Sequence, residues 1–148
     1  MYSSPSPRES SRVLTRTSIL FVIPSWYAYN QRLYYYSLIL LVNTILSINY
    51  WRNPVYGLRR NLDVFFAKFS AGIFLVSGIY YVKEWNVLYN LLLLQLICFY
   101  VVGQYLADIK NHSTWYRYHA IFHVYCLVCQ FLVLYSIKNT DQLKINVT

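Results

Sequence analysis

Two histidines, His119 and His123, stand one helical turn apart inside an apolar run at residues 115–137. At a spacing of four residues both rings lie on one face of a helix. The run is long enough to cross a bilayer, which takes about 20 apolar residues. Ionisable side chains cost free energy in that setting, so a pair retained there is a candidate for function. Two neutral imidazoles so placed can bind one metal ion, and zinc suits nitrogen ligands. A third ligand has to come from another segment. The alternative is that the rings hydrogen-bond a neighbouring helix. His119, His123, Cys126 and Gln130 form one stripe at the 3.6-residue period, and such a stripe has to face protein or water.

Asp63 and Ser47 are the other candidates. Asp63 sits at the start of an apolar run at 62–82. It reads as a first-turn acid, paired with Arg59 or Arg60, or as a carboxylate that orients a histidine or a water. Ser47 shares a helix face with Asn43 at i and i+4, whereas Asn49 does not join them. Lys68 is a further charge inside the same run as Asp63, with a stem long enough to reach back toward the boundary.

The elements that carry these residues follow from composition. The chain has 148 residues, 57% hydrophobic and only 12% charged, about half the charged fraction of a soluble domain. Its 17 Tyr and 4 Trp favour the membrane–water boundary. The net charge of +8 does not point to nucleic acid, because the basic residues stand in short groups flanking apolar runs. Arg52, Arg59 and Arg60 form one such group, suited to anionic lipid headgroups. Cys98, Cys126 and Cys129 all fall in apolar runs and read as small hydrophobes, although Cys126 and Cys129 match C-x-x-C.

The expected architecture is all-α: an integral membrane bundle of four transmembrane helices at 33–51, 62–82, 87–107 and 115–137. Residues 1–17, rich in Ser, Pro and Arg, read as a disordered basic tail, and a transit peptide has a similar composition. Residues 18–32 contain a 12-residue apolar stretch with Pro24 and read as an interfacial or re-entrant segment, or as a fifth, shortened span. A tight loop at 83–86 makes the second and third spans an antiparallel hairpin. Residues 138–148 read as a polar tail. The small residues Ser70, Gly72, Ser77 and Gly78 permit close helix approach in the second span. With four spans the basic residues lean toward both termini on the cytoplasmic side. The N-x-[ST] matches at Asn111 and Asn146 read as chance occurrences.

Ser47, then Asp63, then His119-Ala-Ile-Phe-His123 resembles the membrane hydrolase superfamily of alkaline ceramidases, adiponectin-receptor proteins and hemolysin III-like proteins. That pattern has a serine and a histidine one turn apart in an early helix, an aspartate about three turns on, and H-x-x-x-H in the last helix. The resemblance implies zinc held by histidines and a zinc-activated water that cuts a lipid amide. It implies Ser47 and Asp63 as catalytic residues and His119 and His123 as metal ligands. Trp51 stands where the early histidine belongs, and the chain has room for four or five spans rather than seven.

The expected function is therefore that of a small multi-pass membrane protein acting as a non-enzymatic structural or interaction subunit, with membrane lipids and other membrane subunits as partners. The alternative is a zinc-dependent amidase acting on lipid amides. A further alternative is a small transporter or channel, with Lys68, Gln95, Gln104 and His123 along a polar pathway.

Overall fold

Lipid offers a backbone no hydrogen-bond partner, so long apolar runs close their bonds within themselves as helices. The computed structural model describes residues 8–109 and 111–145. Among the described residues all regular structure is helical: α1 (Arg8–Ile19), α2 (Val22–Asn30), α3 (Tyr34–Trp51), α4 (Leu58–Tyr81), α5 (Asn86–Asp108) and α6 (His112–Ile145). Three of these helices are long and apolar enough to cross a membrane, over Leu58–Tyr81, Asn86–Asp108 and Thr114–Thr140. Helix α3 has 18 residues, and its tyrosines and asparagines lower its hydropathy.

Residues 8–17 are helical rather than an unstructured tail, while residues 1–7 lie outside the described residues. The reason is a face of small side chains. Ser11, Leu14 and Ser18 recur at helical spacing and are buried, while Arg12 and Arg16 face outward. Thr15 and Ser18 donate their hydroxyl protons to Ser11 O and Leu14 O one turn back. A helix so arranged needs no apolar run to pack closely. Pro24 interrupts little, because it is the third residue of α2, where backbone N–H groups lack intrahelical partners anyway. At the other end, α6 continues past the apolar run to Ile145, and residues 138–145 are part of it.

Helices α1 and α2 together lie antiparallel to α3 along its length. Ser11 bonds the Trp51 carbonyl, Ser18 pairs with Ser47, and Ser25 donates to Ser37 O at 2.9 Å. Seven residues separate each serine from the next, so the same face returns each time. The segment expected to lie at the interface thus runs alongside the bundle. Arg32 reverses the chain into α3 with φ 62°. Gly57 precedes α4 with φ 138°, a conformation that L side chains rarely adopt.

Helix α4 returns beside α3, with Tyr36 bonded to Ser77 at 2.8 Å. Tyr89 of α5 seats its ring against Gly78 and donates to Phe74 O at 3.2 Å. Of the small residues expected to face inward on α4, Ser70, Ser77 and Gly78 do, but Gly72 faces outward. Helix α6 is the hub, touching α1, α2, α4 and α5, whereas α5 packs mainly on α6.

The polarity of this bundle is inverted relative to a water-soluble protein. Among the described residues thirteen polar and thirteen apolar side chains are buried, and the outer surface is lined by Leu, Ile, Val, Phe and Tyr. Only 11% of the most apolar window of α5 is buried inside the protein. Such an exterior suits acyl chains rather than water.

Candidate functional site

The polar interior is densest near the end of the bundle where α3 finishes and α6 begins. Trp51 closes α3 and is held there by Ser11 of α1. Its ring lies 5.9 Å from Trp115 and 5.4 Å from His119, centroid to centroid. Trp115 and Phe122 flank His119 at 5.3 and 5.8 Å. His119 meets His123 edge-on at 4.8 Å, as the four-residue spacing requires.

His123 is buried, with Phe21 edge-on at 5.5 Å and its Nδ1 2.9 Å from Thr17 Oγ1. Thr17 has one hydroxyl proton and points it at Leu14 O, 3.1 Å away. With the proton there, Thr17 accepts from Nδ1–H, and Nε2 keeps the lone pair.

Thr17 and Ser18 are consecutive on α1, about 100° apart around its axis, so they serve different neighbours. Ser18 faces Ser47 at 3.0 Å and donates to Leu14 O at 2.8 Å. Ser47 then holds one proton for two acceptors, Ser18 and the adjacent Asp63 carboxyl. Asp63 is buried on α4, with Ser47 and Tyr50 as its polar neighbours. The expected ion pair with Arg59 or Arg60 does not form. Arg60 lies over the Tyr56 ring at 4.9 Å and reaches Tyr50.

Further along the bundle, one turn from Ser47 and about two turns from Asp63 and His123, Asn43 Oδ1, Ser70 Oγ and Gln130 Oε1 are buried and make no hydrogen bond. The Tyr36–Ser77 and Ser47–Asp63 neighbours bracket Asn43 and Ser70, which places those two at the same level of the α3–α4 pair.

The four residues singled out by sequence thus form two pairs, Ser47 with Asp63 and His119 with His123. Helix α1 joins the pairs through Ser18 and Thr17. These joining residues, and Ser11, are absent from a sequence reading that treats 1–17 as a tail and 18–32 as an interfacial or re-entrant segment. The signal for them is the heptad recurrence of Ser11, Ser18 and Ser25. Trp51, which stands in sequence where the resemblance calls for an early histidine, packs against His119. Among the described residues no three His, Cys, Asp or Glu side chains come together as a metal-binding group. Lys68, Gln95 and Gln104 all face outward, so they do not line a pathway with the buried His123. Cys126 and Cys129 are free thiols on the inner side of α6. No family model, no curated protein and no solved structure matches this chain.

Proposed function

We propose that this chain is a multi-pass membrane protein with five crossings and a non-catalytic, bundle-forming interior that serves as a structural or interaction subunit. The crossings are α1 with α2 as one broken element, then α3, α4, α5 and α6. Support comes from the constant pairing of α1 and α2 with α3, which gives both elements the same extent along the bundle. Helix α3, at 18 residues, measures about 27 Å, close to the hydrocarbon thickness of about 30 Å.

Charge agrees with this path. Five crossings place Arg8, Arg12, Arg16, Arg52, Arg59, Arg60, Lys110 and Arg117 at one end, and Arg32, Lys83, Lys138 and Lys144 at the other. Eight against four makes the N-terminal end cytoplasmic and the C-terminus external. Four crossings would divide the same residues almost evenly and put the termini together. Tagging each terminus and testing protease access from one side of sealed vesicles decides between the two: opposite protection of the tags fits five crossings, and equal protection excludes them.

The observation that carries the non-catalytic reading is the ring of aromatic side chains around the histidines. Trp51, Trp115, Phe122 and Phe21 surround the pair, and Thr17 occupies Nδ1 of His123. The imidazoles then join α1, α3 and α6 as packing rings and hydrogen-bond partners. Purification in detergent followed by elemental analysis tests this. A zinc content far below one per chain fits it. Stoichiometric zinc that is lost in a His119→Ala, His123→Ala variant overturns it.

A second reading, a zinc-dependent lipid amidase, is favoured by one specific observation: the Asp63–Ser47–Ser18 chain ends beside the Thr17–His123 contact. In that reading His119 and His123 would hold zinc, Asp63 would orient the attacking water, and Ser47 would support the oxyanion. Zinc-dependent release of fatty acid from a ceramide, abolished by Asp63→Asn, tests it.

A further inference from the structure

At the N-terminal end of the bundle, a cleft of about 290 Å³ opens between α1 and the residue after α3. Its lining is Ser11, Arg12, Thr15, Arg16 and Arg52. The local geometry explains how three arginines come together. Arg12 and Arg16 stand one turn apart on the outer face of α1. Ser11 Oγ donates to the carbonyl of Trp51, which fixes α1 against the end of α3. Arg52 follows directly, so the same bond that anchors the helices directs a third guanidinium into the cleft.

The two hydroxyls cannot serve an anion as donors, because Ser11 gives its proton to Trp51 O and Thr15 gives its proton to Ser11 O. The guanidiniums are different. Each offers five N–H donors and no acceptor, and among the described residues none of the three has a carboxylate partner. Three like charges on one small cleft repel one another, and among the described residues no carboxylate lies against them. Arginine forks match phosphate oxygens in pairs.

We propose that this cleft binds a phosphomonoester group. A phosphomonoester carries close to two negative charges, against one on a phosphodiester, and so offsets more of the cleft's charge. The shared chemistry has two sources: the headgroup of a lipid such as phosphatidic acid in the adjoining leaflet, or a soluble phosphate. The site does not depend on whether the polar interior of the bundle is catalytic.

The test uses the full chain in phosphatidylcholine nanodiscs at fixed ionic strength. One arm adds phosphatidic acid, a second adds phosphatidylglycerol at equal density, and a third titrates inorganic phosphate without anionic lipid. Binding is read by native mass spectrometry for lipid and by thermal shift for phosphate. Wild type should retain phosphatidic acid over phosphatidylglycerol. Each of Arg12→Gln, Arg16→Gln and Arg52→Gln should weaken retention about tenfold, the loss of one charge-assisted contact. An Arg32→Gln, Lys83→Gln, Lys138→Gln variant removes three charges that do not line the cleft and should leave retention unchanged. Phosphatidic acid binding alone assigns the cleft to a headgroup, and a response to inorganic phosphate as well assigns it to soluble phosphate too. No preference for phosphatidic acid and no phosphate response, or equal weakening in the three-charge control, overturns the proposal. The single substitutions are outward-facing and keep the test informative if a multiple variant misfolds.

Discussion

Replacing Trp51 with histidine examines the relation between the aromatic ring and the hydrolase pattern directly. In a tetrahedral zinc site each ligating nitrogen is about 2.1 Å from the metal, which puts each imidazole centre about 3.2 Å away. Two such rings at a tetrahedral angle are then about 5.2 Å apart, centre to centre. His119 and His123 are 4.8 Å apart, and Trp51 is 5.4 Å from His119. Both separations from His119 are therefore near that of two zinc-bound imidazoles, with an indole at one of the two positions. Trp51 is 5% exposed, so the smaller ring leaves a cavity. The metal-free Trp51→His variant should lose about 2–4 kcal/mol of stability. Zinc at a hundredfold excess over its dissociation constant returns about 2.7 kcal/mol. The variant should melt well below wild type in chelator and close to it in zinc, with about one zinc per chain. Trp51→Phe is the control: it loses similar packing and should gain nothing from zinc. Elemental analysis and thermal melting in detergent read both effects. A folded Trp51→His protein that takes up no more zinc than Trp51→Phe would refute the premise that the three rings surround a common point.

Three further outcomes follow from the packing. Gly78→Ala should destabilise by about 2–3 kcal/mol in a denaturant titration, because the new methyl meets the buried Tyr89 ring and displaces its bond to Phe74 O, while Gly72→Ala, with nothing within 4 Å, should change stability by less than about 1 kcal/mol. Thr17→Val should cost about 1–2 kcal/mol by leaving His123 Nδ1 buried without its partner, and Thr17→Ser should restore most of the loss; equal stability of the Val variant would show that the contact contributes nothing. Lys68→Leu removes an outward-facing charge and should improve membrane insertion of α4 by about 2–3 kcal/mol in an insertion assay, with no loss of folded stability; a loss would mean that Lys68 has a partner within the bundle.

What could be read from the sequence and what could not have the same physical origin. The apolar runs at 62–82 and 87–107 announce α4 and α5, because lipid-facing helices must be greasy over their full length. The histidine stripe on α6 is legible for the same reason, since polar residues stand out against such a run. Helix α1 is not legible. It is buried by serines and a leucine rather than by an apolar face, and its arginines and its Ser-Pro-rich lead read as solvent-exposed tail. In water a helix of that composition would find little reason to pack. Inside a bundle whose exterior is solvated by lipid, small hydroxyl side chains let backbones approach and satisfy one another. The inner face of α3 carries buried Ser37, Thr44 and Ser47, and the Ser18–Ser47 and Ser25–Ser37 contacts link the two sides. The depth of Asp63 has a similar explanation. A first-turn acid is expected to face the interface, but α4 begins at Leu58, so Asp63 already lies a turn and a half inside and turns toward α3.

The position of the polar cluster along the bundle constrains any function it has. Trp51 and Trp115 pack together at the N-terminal end of the bundle, and indoles favour a membrane surface. Ser47 lies one turn below that level, about 6 Å, and Asn43 two turns, about 12 Å. Under the proposed five-crossing path this would be the outer part of one leaflet, where a lipid's linkage region meets its acyl chains. Under that path a group there would be approached from the side by lipid, and Lys68, Gln95 and Gln104 face outward from the bundle. The arginine cleft sits at the same end and is mechanically joined to the histidines, because α1 carries Arg12 and Arg16 on one face and Ser11, Thr17 and Ser18 on others. If an anion bound in the cleft drew Arg12 and Arg16 toward Arg52, it would press the same helix onto Trp51 and His123. Coupling of this kind needs a contiguous element with contacts at both sites; α1 touches the cleft, the imidazole pair and the Asp63–Ser47 chain, as does α3 through Trp51 and Ser47. A headgroup bound in the cleft would thus tighten the bundle at its polar end, so that loss of Thr17–His123 contact and loss of headgroup binding should be non-additive in a double-variant cycle.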